Sequence, residues 1–283
     1  MQRLDLSSVI LQLKLLGVSN ILHFNFLSAP SSFAITNGLE LLYALKAIND
    51  DGNLNDPAGR CMAQCPLHPM HTKILLSSGE MQCSEEILTI VAMLQIRDPF
   101  VYPTGKKTQA DRIKYQFSVE EGDHITMLNI YTAFKKAVKP SKWCAAHFLN
   151  HQILQRATEI RDQLKRYIIR WNIPLVSCRG KSDASVIIRR CLTTGLFPNA
   201  AKLHYSGVYK LIRSPYELKV HKGSVLEYRS KYPDYVLFTD VMQDSIRDIS
   251  AIDGDWLREL VPHFYEYSSV RNRSDHFVYL LTC

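Results

Sequence analysis

Cys61, Cys65, His68 and His71 fall within eleven residues as Cys-x-x-x-Cys-x-x-His-x-x-His. Thiolates and imidazoles are the side chains that bind zinc, so metal ligation is the chemistry this cluster would do. Its intervals are tighter than the usual arrangement, in which a longer loop brings the second pair round. Coincidence on a helix–turn segment is therefore the default, and no metal is assigned. A phosphate-cradling loop would need Gly, four residues and then Gly-Lys-Ser/Thr. Gly105-Lys106-Lys107-Thr108 comes nearest, with a lysine where the hydroxyl belongs and Phe100 where the first glycine belongs. No Gly-x-Gly-x-x-Gly, Gly-x-Ser-x-Gly or His-Glu-x-x-His occurs, and no spacing pairs a histidine with a cysteine as nucleophile and base. The sequence reads as a binding or accessory protein rather than an enzyme.

The remaining candidates are charges and aromatics. Ile153, Ala157, Ile160, Leu164, Ile168 and Trp171 recur at intervals of three and four, which predicts one long amphipathic helix. Arg156, Arg161, Lys165, Arg166 and Arg170 lie off that stripe. Most such charge is a solvated face.

The elements that position these residues follow from 283 residues, 46% hydrophobic and 22% charged, with a net charge of +7. Such a chain is globular, has room for one large or several small domains, and favours acidic partners without choosing among them. No stretch approaches the roughly 18 apolar residues of a membrane span. Asp5, Gln12 and Lys14 interrupt the first apolar run, so no signal peptide is expected. Seven scattered cysteines point to a reducing compartment, cytosol or nucleus.

Residues 1–58 predict two helices, 6–16 and about 32–48, the second capped by Ser31 or Ser32. An Asp51-Gly52 turn and Leu54 complete a small winged helix. With three basic and five acidic residues this unit is wrong for reading DNA. Residues 59–173 read as all helix, with 16 basic and 10 acidic residues. They include a helix capped by Ser84, another after Asp123 and the long one from Asn150 to Pro174. From about Leu196 short segments rich in Val, Tyr, Phe and Leu predict strands at 196–205, 208–213, 216–221, 235–242 and 246–252, with a helix at 256–260. The fold class is multidomain α+β: a winged helix (1–58), a helical bundle (59–173), an OB-fold β-barrel (174–267) and a tail (268–283).

This order of parts resembles the C-terminal region of DEAH-box ATP-dependent RNA helicases. The resemblance rests on Asp5-Leu6-Ser7-Ser8-Val9-Ile10, Leu39-Glu40-Leu41-Leu42-Tyr43-Ala44-Leu45 and Pro66-Leu67-His68-Pro69-Met70. It continues through Cys83-Ser84-Glu85-Glu86-Ile87-Leu88, Glu121-Gly122-Asp123-His124-Ile125, Trp143-Cys144, Phe148-Leu149-Asn150 and Ile160-Arg161-Asp162-Gln163-Leu164. Gly195-Leu196-Phe197-Pro198-Asn199-Ala200-Ala201, Val220-His221 and Ser224-Val225-Leu226 complete it. The wording is nearest the DEAH-box polypeptide thirty-five subfamily. The resemblance implies a winged helix, a helicase-associated ratchet domain and an OB-fold that complete an RNA channel behind two RecA-like domains. The Walker A, DEAH and arginine-finger motifs are absent. Met1-Gln2-Arg3 looks like the junction after the second RecA-like domain, so the expectation is a fragment or truncated product, inactive alone.

Two departures stand out. Asp244-Ser245-Ile246 is about three residues shorter than the family's loop, which loses a lysine and an aromatic, and Ser268–Cys283 does not resemble the family tail.

The resemblance also nominates contacts to single-stranded RNA. Asn150, Arg156 and Arg161 are expected to face the strand, because an arginine fork binds phosphate at two points and stacks on bases. In the barrel, Arg247 is a candidate, and His221 and Ser224 gain weight from the match. Tyr205 and Tyr209 rest on the OB-fold habit of stacking bases on aromatics. The expected setting is a positively lined passage between bundle and barrel.

The expected function is an accessory module that binds single-stranded RNA. In the full-length parent it couples ATP hydrolysis, with Mg, to RNA or RNP remodelling in nuclear pre-mRNA splicing, with the cytoplasm as a second location. It has no cofactor of its own; its partners are the RecA-like core and a spliceosomal RNP, with no membrane. The alternative is a non-catalytic module that binds a glycine-rich (G-patch) helicase activator.

Overall fold

The computed structural model describes residues 5–214 and 216–265. The expected tail at 268–283 and the Met1-Gln2-Arg3 junction lie outside them.

The first layer is α1 (Ser7–Leu15) against α2 (Ser32–Ala44). Asp5 Oδ1 accepts from the Ser7 amide at 2.8 Å, and Ser31 Oγ accepts from the Ala34 amide at 3.2 Å, so each helix start has a donor satisfied. Helix α2 ends at Ala44 rather than near Ile48, because Lys46 turns into the left-handed region at φ 58°. The expected hairpin reduces to one antiparallel bridge, Ile48 to Leu54, around the Asn49–Gly52 turn. The winged-helix character is thus partial. Its core joins Ile10, Leu11, Ile35, Leu42 and Ile48 to Met62 and Ala63 of α3 (Ala58–Gln64).

The helical layer continues with α4 (Pro69–Ser77), α5 (Ser84–Leu94), α6 (Lys107–Phe117), α7 (Asp123–Lys136), α8 (Pro140–Ala146) and α9 (His151–Arg170). Helix α5 is apolar nearly all round, and Ile87, Leu88, Ile90, Val91 and Ala92 are fully buried, so it forms the centre about which α4, α7 and α9 pack. Ser84 does not cap it. The hydroxyl donates to the Pro174 carbonyl and accepts from the Val176 amide, each at 2.7 Å, tying α5 to the segment that leaves α9. Of the expected α9 stripe, Ala157, Leu164 and Ile168 are buried and Ile160 and Trp171 half-buried, while Leu154 rather than Ile153 takes the buried place in the first turn.

Residues 184–196 form a helix, α10 (Ala184–Leu196), that the strand reading overlooked; a 3-10 turn at 197–199 follows. Strand therefore begins at Ala200, not Leu196, because Ile188, Cys191, Leu192 and Leu196 carry a helical stripe into the main core. Then come β1 (Ala200–Leu203), β2 (Tyr209–Leu211), β3 (Glu217–Val220), β4 (Tyr235–Met242) and β5 (Ser245–Ile252). They close into a barrel in the order β1-β2-β3-β5-β4, with β1 antiparallel to β4 and β3 parallel to β5. This is the small five-stranded closure of an OB-fold. Helices α11 (Gly254–Leu260) and α12 (Pro262–Tyr265) return to the start of the chain, where His263 Nε2 meets the Ala44 carbonyl at 2.9 Å.

Among the described residues, no helix is long and apolar enough to cross a membrane, and six cysteines are free thiols.

Candidate nucleic-acid interface

Bundle and barrel meet at the start of α7. Gly122 bridges Ser250 of β5 at φ +117°, and a Cβ there would lie 2.2 Å from the Ile249 carbonyl oxygen, so glycine is required. Asp123 is buried. Its carboxylate accepts from Ser224 Oγ at 2.7 Å and from the Val225 and Ile249 amides at 2.8 Å each. Burial raises its pKa, while those donors and Lys114 pull it back. His124, fully buried, spans from Ser250 Oγ (2.8 Å) to Thr239 Oγ1 (3.0 Å). Desolvation, aided by His71, depresses its pKa to about 3, so it is a neutral structural histidine. The Glu121-Gly122-Asp123-His124 segment is therefore the latch between the two domains.

Beside the latch lies a cleft of about 100 Å³. Its bundle wall is Met93, Arg97, Asp98, Phe100, Lys114 and Ile130; its barrel wall is His221, Ser224, Val225, Arg247 and Asp248. Lys114 of α6 donates to the Gly223 carbonyl at 2.5 Å and lies 5.3 Å above the Phe100 ring, so it bridges the walls. The passage is not simply positive: Arg97, Lys114 and Arg247 share it with Asp98, Asp123 and Asp248. Two of those carboxylates are engaged internally, since Asp123 holds the latch and Asp98 accepts from the Phe100 amide at 2.9 Å. Asp248 is the exception. Burial, with the Asp123 charge, lifts its pKa to about 6 against the pull of Arg247. Arg97 is exposed at the rim.

The structure brings four of the sequence-predicted residues to this place. His221, Ser224 and Arg247 line the cleft. Asn150 adjoins it, because its amide donates to the Pro99 carbonyl at 2.8 Å; its Oδ1 caps α9 by accepting from the Gln152 and Ile153 amides. Ser224, 3% exposed, serves the latch rather than the opening.

The other four lie elsewhere. Arg156 is on the solvent face of α9, paired with Glu159 at 3.1 Å. Arg161 turns inward: Nε donates to Thr89 Oγ1 at 2.9 Å and Nη2 pairs with Glu85 on α5. Tyr205 is 97% exposed beside His204, ring centroids 3.9 Å apart. Tyr209 is fully buried in the barrel and donates to the Pro233 carbonyl at 2.8 Å, so no base can reach its ring.

Sequence reasoning missed Arg97, Lys114, Asp123 and Asp248. A signal existed for Lys114, the last of four cations over 106–114, a stretch read only as a failed phosphate loop.

The Cys/His cluster is not arranged as a ligand set. His68 pairs with Asp5, and His71 is buried against Gln95 at 3.2 Å, its pKa depressed to about 4 by burial and then by His68. Cys65 is buried and Cys61 half-buried. Among the described residues, no group of three or more His, Cys, Asp or Glu is placed to hold a metal ion.

Comparison with known proteins matches this architecture. The helicase associated domain (HA2), winged-helix, matches residues 38–67, and the helicase associated domain (HA2), ratchet-like, matches residues 68–127. The oligonucleotide/oligosaccharide-binding (OB)-fold matches residues 188–265. Similar proteins include the probable ATP-dependent RNA helicase DHX35 homolog of Caenorhabditis elegans, 49% identical over 268 residues, 95% of this chain and 37% of that protein. The human probable ATP-dependent RNA helicase DHX35 is 48% identical over 269 residues, 94% of this chain and 38% of that protein. The chain thus spans well under half the length of these relatives.

Proposed function

We propose, for a chain that is homologous to DEAH-box RNA helicases and carries their helicase-associated winged-helix, ratchet-like and OB-fold domains, that it binds single-stranded RNA in the cleft between bundle and barrel. The observation that carries this reading is the convergence of Arg97, Lys114, His221 and Arg247 from four separate segments on one opening, with the Phe100 ring beneath Lys114. Cations converging on one opening are what a sequence-tolerant grip on a phosphate backbone needs. In a longer relative the rigid latch at Asp123 would move bundle and barrel as one body, coupling ATP hydrolysis in a RecA-like core to movement of the strand. Remodelling of a spliceosomal RNP in the nucleus is the setting proposed for that activity.

The test is fluorescence anisotropy of the 283-residue chain with labelled oligo-U. Saturable, salt-sensitive binding with little preference among homopolymers supports the reading; no binding at low salt removes it.

A second reading is favoured by one observation. The N-terminal layer exposes Leu16 (80%), Leu22 (57%) and Phe33 (71%), an unusual concentration of large apolar side chains on an acidic unit. We propose that these exposed side chains receive a protein partner of the glycine-rich G-patch type. Pull-down with a G-patch peptide, lost on Phe33→Ser, tests it; retention by the variant counts against it.

A further inference from the structure

The far end of the helical layer carries a second concentration of positive charge. Helix α7 ends in Lys135 and Lys136, Lys139 precedes α8, and Lys142 lies in its first turn. All four are exposed, and Val138 among them is 95% exposed. Among the described residues none of the four enters an ion pair, and residues 135–142 contain no carboxylate. The negative end of the α7 dipole accounts for Lys135 and Lys136. It does not account for Lys139 and Lys142, which sit where a helix start disfavours cations. Four ammonium groups in eight residues repel one another, and a bound polyanion relieves that repulsion.

Beside these lysines, half-buried aromatic side chains of α6 and α8 pack on the bundle core. Trp143 stacks on His147 with centroids 4.4 Å apart and planes at 28°, and Phe117 lies 6.0 Å from the Trp143 ring. The next residues join the cleft wall: the Val101 amide donates to the Phe148 carbonyl, and the Asn150 amide to the Pro99 carbonyl, both at 2.8 Å. Helix α8, about 10 Å long, thus links Lys142 to the residues that meet the cleft wall.

We propose that Lys135, Lys136, Lys139 and Lys142 form a second phosphate-contacting surface, which extends the footprint of the single strand held in the cleft. This rests on the cleft reading. Nucleic acid suits the surface better than an acidic peptide, because the lysines lie one short helix away from the cleft proposed to hold the strand.

The test compares the full chain with its Lys139→Ala/Lys142→Ala variant, both changes lying on exposed surface, against oligo-U of about 6 and about 16 nucleotides, lengths within the span of single-strand footprints. The short oligomer should bind both proteins equally. The long one should bind the parent more tightly, and the variant should lose about tenfold of that affinity, with a salt slope lower by about 1.4 for two lost contacts. Equal affinity and slope for the long oligomer overturn the proposal, as does a parent that gains nothing from length. Variant-sensitive binding of poly-glutamate with unchanged RNA binding would instead assign the surface to an acidic protein. If the parent binds neither oligomer, the cleft reading fails and the extension falls with it; if only the length gain is missing, the extension alone fails.

Discussion

The carboxylate of Asp123, at the first turn of α7, accepts a hydrogen bond from the hydroxyl of Ser224, 101 residues away in the barrel, at 2.7 Å. With the Val225 and Ile249 amides on the same carboxylate, one side chain fixes the bundle to two barrel segments. Asp123→Ala leaves three buried donors without an acceptor, so it should destabilise the fold by about 3–5 kcal/mol. Ser224→Ala should cost about 1 kcal/mol. Urea unfolding followed by circular dichroism measures both; similar losses for the two would mean that Asp123 is not the hub.

Acid should weaken the same junction. His124 and His71 have folded pKa values of about 3 and about 4, depressed below the ordinary 6.5 by burial. At these two histidines the unfolded chain therefore binds more protons than the folded one below about pH 6.5, an effect that the raised pKa of Asp248 partly offsets. Stability is fully present above that value and falls as pH drops toward 4 and then 3. Thermal unfolding from pH 7.5 to 4.5 should show a steady fall in Tm, shallower in His124→Gln. An unchanged slope in that variant would mean that His124 is not held neutral.

Much of this frame is visible in the sequence because its signals are local. The α9 stripe from Ile153 to Trp171 announces itself by period, and the strands read at 235–242 and 246–252 by composition. Helix α10 is hard to see in the sequence because Ile188, Cys191, Leu192 and Leu196 merge with the apolar run that opens β1. The wing was overestimated because an Asp-Gly turn sets a bend but not the number of rungs beside it. The cleft is the least legible part: Arg97, Lys114, His221 and Arg247 come together only through tertiary contacts, and no spacing links them.

Arg161 shows the same limit, since its partners on α5 are 72 and 76 residues away. Arg161→Ala should lower stability by about 2 kcal/mol, because it leaves a half-buried Glu85 without its cation. Arg156→Ala, on an exposed pair, should change stability by less than about 0.5 kcal/mol. Denaturation midpoints decide this; equal effects would place both arginines on the solvent face.

Asp248 should oppose RNA in the cleft. It faces Arg247, Asp123, Asp240 and Asp98, and its pKa of about 6 leaves it mostly charged at neutral pH. Asp248→Asn should tighten oligo-U binding about three- to tenfold at pH 7.5, and the advantage should vanish by pH 5, where the parent is protonated. A constant advantage across pH would mean that this carboxylate does not titrate in the cleft.

The most direct measurement is the salt dependence of oligo-U affinity for the parent chain and for Arg97→Ala/Arg247→Ala, two cations of the cleft that make no latch bond. The cleft account predicts a variant slope lower by about 1.4, two phosphate contacts at about 0.7 each, with weaker binding and unchanged Tm. Parallel slopes with equal affinity would contradict it and place the strand elsewhere on the molecule.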